Sequence, residues 1–244
     1  MPLTHAMPLD LECAEDPSPE TVMTADITRH EALLSRMAAQ VSAYDGSRPG
    51  GALLGPRLLL IAAQERLPDD RLLRLGTAVE MTRRATIVHR DPKREGLWEG
   101  FGEVRFSRTL LGDVLLSESF RLLALDGEPR TVQILARAMA GVAAGELERH
   151  TADTEDGEEA LHLQSAFYEG VAATGALLGG LNPDDTVRYK EWARAAGACH
   201  ERALAGLTPP VETLARLRRD ALTGTVAFSG RLLERLGTPD IVWP

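Results

Sequence analysis

Leu72, Leu75, Ala78, Val79 and Thr82 recur at the spacing that places side chains on one face of a helix. Neither Gly nor Pro interrupts the chain between Thr77 and Asp91, and Pro92 then removes an amide donor and disfavours the helical conformation at Asp91. A long buried helix is therefore expected to deliver His89, Arg90 and Asp91 to one place and stop. Pro68-Asp69-Asp70 ahead of it supplies the turn and the acidic start. The other elements read as helices packed around this one. Ile27, Leu33, Leu34, Met37 and Val41 form one apolar stripe over residues 19–43, ended by Ser47-Arg48-Pro49-Gly50-Gly51. Residues 53–64 are apolar almost all round, the pattern of a helix buried on every side.

Beyond a Gly-rich connection holding Trp98 and Phe101, residues 106–125 make an amphipathic helix. Leu110, Leu111, Val114, Leu115, Phe120, Leu122 and Leu123 are expected to face inward. Asp126-Gly127-Glu128-Pro129 ends it, and Pro129 suits the first turn of a helix over 129–149. A helix rich in Ala and Gly spans roughly 158–179, after the acidic stretch at 153–159. Asn182-Pro183 opens another, carrying Trp192 and His200, and Thr208-Pro209-Pro210 closes it. Residues 211–236 give the last helix or pair. No alternating pattern of strand type occurs, so the fold class is all-α, a single domain over 19–244 with about ten helices. Residues 1–18 are expected to be a disordered lead-in.

Composition narrows the function classes. An apolar fraction of 44% allows a sizeable core, while 27 basic against 36 acidic residues, net −9, argue against nucleic acid. Cys13 and Cys199 are too few and too far apart for a disulfide framework or a thiolate zinc site, and suit a reducing cytoplasm. No apolar run approaches the ~18 residues of a membrane span, so no integral membrane segment is expected.

The order of motifs carries a resemblance. A Gly-Gly…Pro turn (Gly50, Gly51, Pro56) precedes the buried apolar helix, and the central helix ends Ile87-Val88-His89 plus a charged cluster. A helix containing Leu111-Gly112-Asp113-Val114-Leu115-Leu116 follows, and later Gly145-Glu146-Leu147-Glu148. Over roughly 48–206 the chain resembles the trans-isoprenyl diphosphate synthases, the polyprenyl synthetase family. The resemblance implies an all-α barrel in which magnesium, held by two aspartate-rich motifs, binds an allylic diphosphate for condensation with isopentenyl diphosphate. The chemistry explains the motifs. Magnesium bridges carboxylate and phosphate oxygens, and the metals stabilise the charge that develops on the departing diphosphate.

Aligned residue by residue, the match decays at those motifs. The family's Gly-Gly-Lys-x-x-Arg-Pro reads Gly50-Gly51-Ala52-Leu53-Leu54-Gly55-Pro56, with Arg57 two positions beyond the expected Arg. The first motif, His-Asp-Asp-x-x-Asp, reads His89-Arg90-Asp91-Pro92-Lys93-Arg94, followed by Glu95. The family's Lys-Thr becomes Gln164-Ser165, and the second aspartate motif falls near 204–208, where no carboxylate stands. Asp91, Glu95 and Asp113 are the carboxylates left as a magnesium remnant. Arg90, Lys93, Arg94 and Arg57 are the cations that could hold a diphosphate directly, with Arg83 and Arg84 nearby. Beside those cations, Asp91 and Glu95 are expected to form an ion-pair cluster. Asp113 is expected to cap a helix or to pair with Arg57 or Arg108. Cys199, His200 and Glu201 are consecutive in a helix and cannot converge on one ion.

The reading is a degraded polyprenyl synthetase without catalytic activity of its own. It would act as a homodimer or as a heteromer with a catalytic prenyl diphosphate synthase chain, in the cytoplasm and without a cofactor. Two alternatives stand. One is a divergent magnesium-dependent prenyltransferase using Asp91, Glu95 and Asp113. The other is a non-enzymatic binder of an isoprenoid or other apolar ligand, with the Ala/Gly-rich helix lining a tunnel or, equally, allowing close packing.

Overall fold

The computed structural model describes residues 19–46, 53–63, 66–90, 105–151 and 157–222. Among them the chain forms eight helices and no strand: α1 (Pro19–Asp45), α2 (Leu54–Ala63), α3 (Asp69–Arg90), α4 (Arg105–Asp126), α5 (Pro129–Thr151), α6 (Gly157–Gly179), α7 (Pro183–Leu204) and α8 (Val211–Leu222).

The central helix α3 opens on the Pro68 carbonyl, which accepts from the amides of Arg71 and Leu72. Asp69 and Asp70 place negative charge in its first turn, where the helix dipole favours it. It is described as far as Arg90. Its partner α4 runs antiparallel to it and is fastened at three levels. Arg71 donates two bonds, 2.5 and 2.8 Å, to the buried Asp126 carboxylate. Thr82 and Ser119 share a hydroxyl hydrogen bond at mid-length. His89 meets Asp113 at the far end.

Helix α2 is buried over nearly its whole circumference, as its sequence predicts, and lies against α3 and α6. Leu54, Leu58, Leu72, Leu75, Val79, Phe167, Val171 and Tyr189 belong to one apolar core shared by α2, α3, α6 and α7. The Tyr189 hydroxyl donates to the Leu58 carbonyl and the Trp192 indole to that of Leu217, tying α7 to α2 and α8. Asn182 caps α7 by accepting from the Asp185 amide at 2.8 Å, with Pro183 at the first turn.

The glycines of α6 settle between tunnel and close packing in favour of packing. A Cβ at Gly170 would lie 2.5 Å from the Ala138 Cβ, and one at Gly175 would lie 2.9 Å from that of Ala62. At Gly179 it would fall on the Ala62 carbonyl. The bare backbone lets α5 and α2 approach α6 on two sides.

Leu110 and Val114 do not face inward. They are 50% and 51% exposed, in line with Leu125 at 60%. Helix α4 buries Leu115, Ser119 and Leu123, and its opposite side faces away from α3. Helical spacing marks an apolar position without saying whether its own chain covers it.

Candidate functional site

The up-and-down course of the helices gathers five motif positions at one end of the bundle. These are the end of α3, the first half of α4, the end of α5, the start of α6 and the end of α7. At the crossing of α3 and α4 the His89 ring lies against the backbone of Gly112, where a Cβ would come within 2.6 Å of Nε2. Its Nε2 is 3.4 Å from the Asp113 carboxylate. Asp113 thus meets His89, while Arg57 is taken by Glu31, and it stands inside α4 rather than at its cap; the Arg108 side chain lies outside the described residues. The pair is open to solvent, with the Asp113 side chain 60% exposed. On α5 Gly145 is buried and Glu146 half-buried; on α6 Gln164 and Ser165 are both buried.

Six residues below His89, roughly 9 Å along the helix, lies a layer of buried charge. Glu80 is fully buried and accepts from Arg83 at 2.8 and 3.0 Å and from Arg84 at 2.9 Å. Burial works against its ionised form, but the Arg83 and Arg84 guanidiniums outweigh that and hold its carboxyl below the ordinary value. Arg83 also reaches to 4.0 Å from Glu201 of α7, whose Oε1 accepts from the Tyr168 hydroxyl at 2.7 Å. Burial and the Glu201 charge push the Tyr168 phenol well above 10, so it stays a neutral donor. The edge of the Tyr168 ring meets His200, with centroids 5.9 Å apart.

Two acids and two arginines balance this layer. Arg83 and Arg84, read from sequence as reserve cations for a diphosphate, are committed to Glu80. The signal for that was present: Glu80, Arg83 and Arg84 stand at i, i+3 and i+4 within an apolar helix. Tyr168 and Glu201 come from other helices and carry no local signal.

Gln164 is fully buried and neither amide atom has a hydrogen-bond partner. Such a group costs about 1–3 kcal/mol. Gln164→Leu, similar in volume, is therefore expected to leave thermal stability unchanged or raised. A clear fall in melting temperature would show that the amide is satisfied.

Of the other candidates, Arg57 donates to Glu31 of α1 at 3.1 Å. Its helix meets α3 where Gly55 packs on Val79, ten residues back from His89, so it is not brought to the motif end. Arg90 is the last described residue of α3, while Asp91, Lys93, Arg94 and Glu95 lie outside the described residues. Their pairing therefore stays an expectation.

The end of α7 departs furthest from the resemblance. The helix stops at Leu204; the Gly206 amide bonds back to Ala203 and that of Leu207 to Arg202, with Gly206 at φ 75°. A left-handed glycine with these back-bonds is a helix stop. Leu204, Ala205, Gly206, Leu207 and Thr208 build it, and none carries a carboxylate. Magnesium wants about six hard oxygens, and the described residues at this end do not fit it. Asp113 faces a histidine, the α7 terminus supplies no acid, and no three His, Cys, Asp or Glu among the described residues group around a point.

No family model matches the chain. It is 26% identical over 195 residues to the geranylgeranyl diphosphate synthase of Methanosarcina mazei, across 69% of this chain and 59% of that enzyme. The chain thus spans about three fifths of that relative's length. A decaprenyl diphosphate synthase from Rhodobacter capsulatus superposes with a TM-score of 0.58 at 25% identity, covering 82% of this chain and 66% of its own. The mint heterotetrameric geranyl pyrophosphate synthase shares the fold, with a TM-score of 0.59 at 16% identity over 89% of this chain and 98% of its own. Sequence relative, helical neighbours and motif order agree: the chain is similar in sequence and fold to the trans-isoprenyl diphosphate synthases.

Proposed function

We propose that the protein is a non-catalytic member of this family, serving in isoprenoid biosynthesis as the companion of a catalytic prenyl diphosphate synthase chain. The α7 terminus carries this reading. Where the resemblance puts the second acidic motif, the chain has a neutral, glycine-capped helix stop. The first motif is altered in the same sense, Arg90 standing where an aspartate is expected. The loss is selective, since the apolar core is continuous across α2, α3, α6 and α7.

Partnering is supported by the outer side of α4. Leu110, Val114 and Leu125 lie in one line and are at least half exposed. One neighbour of the same fold is a heterotetramer by description. Light scattering is expected to show the protein as a dimer, either with itself or with a catalytic chain. Leu110→Glu combined with Val114→Glu should give a folded monomer. A wild-type protein that stays monomeric when mixed with a catalytic synthase would sink the companion role.

A further inference from the structure

Helix α2 bridges the bundle over only half its length. At its start, a Cβ on Gly55 would lie 2.8 Å from Val79 of α3 and 3.8 Å from Phe167 of α6. At its end, Ala62 lies against Gly179, and a short turn leads back into α3 at Asp69. The second half of α3 and the first part of α6 therefore run on past α2 toward the motif end. The apolar core divides at the same level. From α3, the cluster shared with α2, α6 and α7 takes Leu72, Leu75 and Val79. Past Glu80, Met81, Ala85 and Val88 form a second cluster with Val41 of α1 and Leu115 of α4. Among the described residues, α5, α6 and α7 contribute no buried member to it. The layer of buried charge crosses this gap, Arg83 reaching Glu201 of α7, which accepts from Tyr168 of α6. One turn nearer the motif end, Gln164 is fully buried with neither amide atom partnered, and Glu201 Oε2 has no hydrogen bond either. Water would satisfy all three atoms, so the closed arrangement carries a cost that opening removes.

We propose that the motif end is hinged on α2, with α1, α3 and α4 parting there from α5, α6 and α7, and that the Arg83–Glu201 pair is the latch. Apolar packing holds the two groups of helices together along α2, so that half stays shut. Beyond α2 the latch holds them against the unsatisfied polar atoms, which favour opening. Opening brings water to Gln164, Ser165 and Glu201 while the rest of the bundle stays packed, a local transition and not unfolding. The device goes beyond the non-catalytic reading and does not depend on it, since its test reads motion and not turnover.

The test is amide hydrogen exchange on the full chain, read by mass spectrometry over two sets of peptides. One set covers the motif end, residues 80–90, 161–166 and 198–204; the other covers the half bridged by α2, residues 70–79 and 167–179. Glu201→Gln keeps an acceptor for Tyr168 but loses the charge that faces Arg83. It should speed exchange in the first set by roughly tenfold, the scale of one interaction with a buried charge, and leave the second set unchanged. Gln164→Leu, which removes the unsatisfied amide, should slow the first set by about the same factor. Equal acceleration of both sets by Glu201→Gln would mean a general loss of stability and would overturn the latch. Exchange unchanged in that variant would overturn it too. Should Glu201→Gln not fold, Gln164→Leu decides: selective slowing of the motif end supports the hinge, and exchange equal to wild type refutes it.

Discussion

Glu80→Gln is expected to lower stability by about 3–5 kcal/mol, the cost of removing one partner from a buried ion pair. Three hydrogen bonds from the Arg83 and Arg84 guanidiniums end on the Glu80 carboxylate. A neutral amide removes the negative charge that both buried guanidiniums face and turns a donor toward donors. Thermal unfolding should fall by about 10 °C, given 2–4 °C per kcal/mol for a chain of this size. The variant should also respond differently to acid. The Glu80 carboxyl lies below its ordinary 4.5 in the folded protein, so the unfolded chain takes up its proton first. Its contribution is complete above pH 4.5 and drains away as the pH falls through the folded value. Stability curves measured down that limb should be flatter for Glu80→Gln than for wild type. Parallel limbs would mean that Glu80 does not carry the acid sensitivity.

Tyr168→Phe has the next largest expected effect, about 1.5–3 kcal/mol, the range for a hydrogen bond to a charged group. Glu201 accepts from the Tyr168 hydroxyl at Oε1, its Oε2 has no partner, and Arg83 stands 4.0 Å away. Without the hydroxyl a buried carboxylate keeps no hydrogen bond. The penalty should shrink in a Glu201→Gln background, with a coupling of about 0.5–3 kcal/mol in a double-mutant cycle. Strictly additive penalties would show that the hydroxyl acts on something other than Glu201.

The parts of this molecule that one segment decides were legible in its sequence. The all-round burial of α2 and the cap of α7 at Asn182 follow from residues lying within or next to the feature they fix. Leu110 and Val114 were not legible, because a helical stripe reads the same whether a core or a partner covers it. The glycines of α6 suited a tunnel or a close contact equally, and only Ala62 and Ala138, distant in the chain, decide for contact. Glu80, Arg83 and Arg84 announce a pairing by their spacing, yet spacing alone cannot say that it is buried. Its extension to Glu201 and Tyr168 joins residues 33 apart on different helices. Tertiary packing creates that link, and no local pattern records it.

The most direct test of the non-catalytic reading is a turnover assay on the purified protein alone. It would be supplied with magnesium, labelled isopentenyl diphosphate and a panel of allylic diphosphates. No product above background from folded, helical protein is the predicted result, with activity appearing only when a catalytic chain is added. Product formed by this chain alone would contradict the account and make Asp91 and Asp113 the carboxylates to replace.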